Sequence, residues 1–239
     1  MIWITGGTSG LGYYVGLELK KKYKVGIIGR DPIKLKDIEK RRLFDQYFCC
    51  DVENYESAKG FWRYLSANNL RCNSLICNVG SGNASKSGSE DQIEWQRMLS
   101  KNLFSTINMV DTGTHIFEKH TTKIICISSI CGIDYVPGAP ITYSVAKAAL
   151  NAYVRIKHRQ FKNTGPVIIG LALGNMIFSG STWENKSSEL REKIIEEDVS
   201  VKRFGTPKDV SEFIDYVLGS GNFIQGQIFT LDGGQTRKI

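Results

Sequence analysis

Seven short apolar runs, the first six each followed by a stretch with helical spacing, restrict this 239-residue chain to few folds. The runs occupy 1–5, 23–29, 45–50, 73–78, 122–128, 165–172 and 226–231, and helices are predicted near 11–22, 32–42, 54–68, 90–119, 142–162 and 207–219. Such alternation predicts an α/β protein with a mostly parallel, seven-stranded sheet. Parallel neighbours need a crossover connection, and the crossover helices cover both faces. No repeat or linker-like break in composition interrupts the pattern, so one domain over 1–239 is expected. The polar segment 175–204, with a helical patch near 188–197, leaves the sixth run as a long excursion and reads as a lid.

Residues 1–12 read M-I-W-I-T-G-G-T-S-G-L-G, a strand, a glycine turn and the start of a helix. Gly6, Gly10 and Gly12 permit tight turning and close approach of a ligand to the backbone. The helix start offers free N–H groups and a positive dipole end, which suit a pyrophosphate. Thr8 and Ser9 add hydroxyl donors, and Leu11 opens the helix. This arrangement predicts a Rossmann-like, doubly wound dinucleotide-binding fold. A P-loop is excluded because no Gly-Lys-Ser/Thr follows the turn.

Tyr143 and Lys147 stand four apart in Y-S-V-A-K, one helical turn, so phenol and ammonium share a helix face. A cation beside a phenol favours the phenolate, which predicts a lowered pKa and a proton donor or acceptor usable near neutral pH. Ser128 and Ser129 end an apolar strand just upstream.

The net charge of +7 lies in clusters such as Lys20-Lys21-Lys22 and Lys40-Arg41-Arg42, which read as solvated helix ends. No nucleic-acid reading motif accompanies them, so no nucleic-acid partner is expected. No run approaches the roughly 18 apolar residues of a membrane span, and none is expected. None of the six cysteines forms a C-x-x-C pair, and the three histidines lie away from them, so no metal site is expected. The first strand begins at the first residues and leaves no room for a leader, so reduced thiols and a cytoplasmic location are expected.

These motifs together resemble the short-chain dehydrogenase/reductase family, in its branch of about 250 residues. The resemblance runs through T-G-x-x-x-G-x-G at Thr5–Gly12, Asp51 in C-D-V, C-N-V-G at Cys77–Gly80, Asn102 in K-N-L-F, Ser129, Tyr143 and Lys147. It continues through R-F-G-T-P-K-D-V at 203–210 and G-Q-I-F-T-L-D-G-G at 226–234. It implies hydride transfer between a nicotinamide cofactor and a carbonyl or secondary alcohol. Tyr143 would be the general acid/base and Lys147 would assist it and hold the nicotinamide ribose. Ser129 would donate to the substrate oxygen, with Ser128 the alternative, and Asn102 would hold a water that relays protons from Lys147. Asp51 and Val52 would meet the adenine. Asn78 and Gly80 would line the ribose side, and Gly174 and Met176 would follow the sixth strand beside the cofactor. Where the family has Pro-Gly this chain has Leu173-Gly174, and Ser179 stands for the threonine expected to contact the nicotinamide amide.

Cofactor choice turns on K-V-G-I-I-G-R-D. Gly29 occupies the place where an NAD enzyme carries a carboxylate, and Arg30 can pair with a phosphate, so NADP(H) is favoured over NAD(H). The polar lid predicts a small-molecule substrate that is a polar carbonyl or hydroxyl compound, such as a sugar derivative. Apolar residues on several faces of helices 90–119 and 142–162 predict a homotetramer or homodimer. Two other functions share these motifs: a non-catalytic dinucleotide-binding regulator, and a sugar-nucleotide epimerase or dehydratase.

Overall fold

The computed structural model describes residues 1–83, 91–117, 122–161 and 165–236. Its sheet runs β3-β2-β1-β4-β5-β6-β7, and among the described residues every pairing is parallel. The strands are β1 (Ile2–Thr5), β2 (Val25–Gly29), β3 (Gln46–Cys49), β4 (Ser74–Cys77), β5 (Lys123–Ser129), β6 (Val167–Leu173) and β7 (Ile228–Leu231). Each lies within two or three residues of its predicted run. From β1 the chain builds outward through β2 to β3, then returns to pair β4 on the other side of β1. Loops leaving β1 and β4 therefore diverge and open a crevice at the carboxyl ends of these strands.

Alternation along β1 explains the two cores. Ile2 and Ile4 face α1 (Gly10–Lys20), α2 (Pro32–Lys40) and α8 (Pro207–Gly219), with Val15, Leu19, Val210 and Ile214. Trp3 faces α3 (Tyr55–Ala67), α5 (Ser105–Thr112) and α6 (Ile141–Gln160), with Phe61, Trp62, Met109 and Leu150. Successive strand side chains point to opposite faces, so near-continuous apolar strands feed both layers. Burying a side chain such as Trp62 or Phe61 contributes on the order of 2–3 kcal/mol each.

The helix predicted over 90–119 is corrected. Residues 90 and 118–119 lie outside the described residues. The rest is α4 (Gln92–Leu99), a π turn (Ser100–Phe104) and α5, ending at Thr112 before Gly113. The cause of the wide turn is Asn102, whose Nδ2 donates to the Met98 carbonyl at 3.1 Å, entering the hydrogen-bond ladder of its own helix.

The R-F-G-T-P-K-D motif is a helix start. Thr206 and Asp209 form a reciprocal capping box on α8, and Asp209 also takes two bonds from Arg203, at 2.9 and 2.7 Å. These contacts hold the Asp209 carboxyl far below the usual carboxylate range. The helical patch expected near 188–197 is α7 (Ser188–Asp198), which buries none of its side chains. No described helix is long and apolar enough to cross a membrane.

Candidate active site

One crevice of about 480 Å³ opens above the ends of β1, β4 and β5. Its floor is built by a cross-link between strand tips. Thr5 Oγ1 accepts from Asn78 N at 2.9 Å and Val79 N at 3.3 Å, while Asn78 Nδ2 donates to the Thr5 carbonyl at 3.2 Å. Over this floor Gly6 and Gly10 adopt left-handed φ angles of +67° and +60°, which favour glycine. Of the glycine-turn residues, Gly6, Thr8, Ser9, Gly10 and Leu11 line the crevice. Gly12 does not: it is buried behind the turn, where a side chain would meet Asn78 Nδ2.

The donor chemistry here fits a dinucleotide. Ser9 caps α1 without a side-chain hydrogen bond, and the first turn carries no acid. The first N–H groups and the dipole are thus uncompensated by side chains, as a pyrophosphate requires. Beyond Gly10 the nearest side chain is the Phe178 ring, 3.9 Å from where a Cβ would stand.

Tyr143, Lys147, Ser128 and Ser129 line the same crevice, brought there by α6 and the end of β5. Ser129 caps a turn by accepting from Cys131 N at 3.2 Å, and its hydroxyl hydrogen-bonds the Tyr143 phenol. Ser128 Oγ is buried without a partner. The geometry thus favours Ser129 over Ser128 as the companion of the phenol.

The acidified phenol is corrected. Burial pushes the Tyr143 hydroxyl up to about 12, against the opposing pull of the Ser129 hydroxyl. Lys147 Nζ lies 5.8 Å from the phenol ring centroid and donates to the Ile127 carbonyl at 2.9 Å. Burial lowers this ammonium from 10.5 to about 8. Loss of water is the leading cause at both groups, because desolvation disfavours both charged forms.

Asn102 is fully buried and stands behind the crevice. Its Oδ1 accepts from Ser81 N at 2.9 Å and its Nδ2 donates to the Ser81 carbonyl at 3.1 Å and to Met98. Both amide hydrogens are thereby taken, and the side chain clamps the following loop at Ser81. Arg97 ties the same loop, donating to the Asn83 carbonyl at 2.8 Å while held by Glu94. Gly80 is where these groups converge. A Cβ there would stand 2.9 Å from Asn102 Oδ1 and 3.1 Å from Lys147 Nζ.

Arg30, Asp51, Val52, Asn78, Gly80, Gly174 and Met176 all line the crevice. Asp51 also caps its own turn by accepting from Glu53 N at 3.1 Å. Ser179 does not line it: Ser181 and Thr182 do, two and three residues on. Ser181 is buried and its Oγ accepts from Phe178 N and Glu184 N, whereas Thr182 is exposed. Ser81, Asn83 and Phe178 also line it, and the lining residues that sequence reasoning missed include Glu53 and Lys101. The Asp-Val-Glu run was the available signal for Glu53. The loop after Gly80 is described as far as Asn83.

A family model described as short chain dehydrogenase matches residues 1–211. A tropinone reductase homolog of Arabidopsis thaliana is 26% identical over 250 residues, covering 98% of this chain and 90% of its own. A gluconate 5-dehydrogenase from Burkholderia cenocepacia, solved with NADP and tartrate, superposes with a TM-score of 0.86 at 18% identity, covering 100% of this chain and 95% of its own. ElxO with NADP bound gives a TM-score of 0.85 at 25% identity, covering 98% and 97%.

Proposed function

The chain belongs to the short-chain dehydrogenase family, and from that premise we propose how its own residues serve an NAD(P)-dependent oxidoreductase acting on hydroxyl or carbonyl compounds. The observation that carries the proposal is the meeting of Tyr143, Ser129 and Lys147 in the crevice that also holds the glycine turn. When bound, a nicotinamide dinucleotide supplies or accepts the hydride. Gly6, Ser9, Gly10 and Leu11 hold the pyrophosphate, Asp51 and Val52 the adenine, and Asn78, Gly80 and Lys147 the ribose nearer the chemistry, with Gly174 and Met176 on the same wall.

Tyr143 moves the proton. Its phenol is protonated at neutral pH and donates to the substrate oxygen in the reducing direction. Ser129 orients that oxygen and the phenol together. Lys147 stays charged below about pH 8 and offsets the phenolate as it forms. Asn102 positions the loop 80–83 that walls the site. The chain 1–239 acts as one domain, with 175–204 as its lid.

NADP(H) is the favoured cofactor. A Cβ at Gly29 would collide with the Thr8 methyl group, so no carboxylate can occupy that strand end, and Arg30 follows it into the crevice. Ser81, Asn83 and Thr182 give the reaction end a polar lining that suits a polar carbonyl or hydroxyl substrate. Exposed apolar residues on α4, the π turn and α6 (Ile93, Phe104, Ile141, Val145 and Ile156) form a face suited to a second copy of the chain. Sedimentation showing only monomer at micromolar concentration would contradict that.

The test is Tyr143→Phe with NADPH and a panel of aldoses, polar ketones and hydrophobic ketones. Turnover falls about 10²–10⁴-fold while calorimetric binding of NADPH stays within about twofold. Unchanged turnover would refute the role of the phenol and favour a non-catalytic or differently built site. Activity confined to hydrophobic ketones would refute the substrate reading.

A further inference from the structure

Glu53 belongs to the crevice wall with Arg30, Asp51, Val52 and Lys101. One of its carboxylate oxygens accepts from Arg30 Nη1 at 3.1 Å, and the other accepts from Ser100 Oγ of the π turn at 3.1 Å. Its backbone is fixed as well: its N–H donates to Asp51 and its carbonyl accepts from Asn108 Nδ2 at 3.1 Å. The Glu53 side chain is 18% exposed, whereas that of Arg30 is 61% exposed. The carboxylate is therefore the fixed member of the pair and the guanidinium the one able to swing.

This wall carries two cations, Arg30 and Lys101, against two anions, Asp51 and Glu53. It is not the electropositive surface that a phosphate dianion would select unaided. We propose that Glu53 sets the discrimination between phosphorylated and unphosphorylated adenosine, by holding Arg30 in an ion pair that a 2′-phosphate must break. An unphosphorylated ribose leaves the pair undisturbed. A 2′-phosphate gains a strong charge-assisted contact with the guanidinium. It also leaves the Glu53 carboxylate with Ser100 alone, close to a like charge. Glu53 thereby moderates the NADP preference that Arg30 confers. The inference rests on the crevice being a dinucleotide site with Arg30 as the phosphate partner.

Calorimetric titration of 2′,5′-ADP against 5′-AMP, and of NADP against NAD, tests it without recourse to turnover. Glu53→Gln removes the charge and keeps one acceptor oxygen, while its NH2 can donate to the Ser100 hydroxyl. The expected result is a shift of the affinity ratio toward the 2′-phosphorylated ligand of about tenfold, with unphosphorylated ligands changed less than about twofold. In an Arg30→Gln background the same change shifts the ratio by about twofold or less, since Glu53 acts through Arg30. Glu53→Ala reads the same ratio in the same direction should the Gln variant fold poorly. A ratio unmoved by either variant, or a full shift that persists without Arg30, overturns the proposal. The wild-type ratio separately tests NADP preference. A wild type that favours NAD would refute that preference, while the Glu53-dependent change would still decide the role of Glu53.

Discussion

Lys147→Met should make the protein more stable and inactive. The Lys147 ammonium is 3% exposed, with the Ile127 carbonyl as its hydrogen-bond acceptor. Holding its pKa at about 8 rather than 10.5 costs the folded state about 3 kcal/mol, at about 1.4 kcal/mol per pH unit. Below pH 8 both folded and unfolded chains carry the proton, so that cost is present in full. Between pH 8 and 10.5 the unfolded chain holds a proton that the folded chain has released, and wild-type stability rises with pH. Met fills a similar apolar volume and removes the charge, but leaves the Ile127 carbonyl without its donor, at a cost of about 1 kcal/mol. The net gain at pH 7 is about 2 kcal/mol, or roughly 4–8 °C in melting temperature for a chain of this size. Urea unfolding of both proteins at pH 7 and pH 10 measures it, and turnover measured in parallel is lost. A variant less stable than wild type at pH 7, or a gap that fails to narrow by pH 10, would refute the claim that burial strains this lysine.

Two further outcomes follow from other contacts. Gly29→Ala should destabilise the chain by about 1–3 kcal/mol through collision with the Thr8 methyl, and Thr8→Ser, which deletes that methyl, should restore most of the loss in thermal melts. Asp209→Asn should cost about 1 kcal/mol by weakening the α8 capping box and the Arg203 pair. Because the folded pKa of Asp209 is depressed, its contribution is present above the unfolded value of about 4 and lost as pH falls below it. The difference between this variant and wild type in urea unfolding should therefore shrink at pH 3.

The strands were legible because period and composition agree: β-branched runs bounded by glycine and charge leave little choice of boundary. The glycine turn, Ser129, Tyr143 and Lys147 were legible because their spacing is itself the chemistry. Three features were not. Spacing places Tyr143 beside Lys147 but says nothing of burial, so the sign of the phenol's pKa was misjudged. Apolar periodicity across 90–119 looks continuous, because the π turn arises from one side chain bonding its own helix and leaves no gap in the pattern. Glu53 was missed because its importance lies in Arg30 and Ser100, which are 23 and 47 residues away and meet it only once β2, β3 and the π turn are assembled.

The widened turn at Ser100–Phe104 also separates two tasks along one rod. It inserts a phase shift between the part that grips the wall of the crevice through Arg97 and the part that packs Met109 and Val110 into the interior. Residues before the shift can drift, and with them the shape offered to incoming molecules, without rotating the residues beyond it out of register. Selection or engineering for new substrates therefore has room to act on α4 while the packing around Trp62 stays as it is.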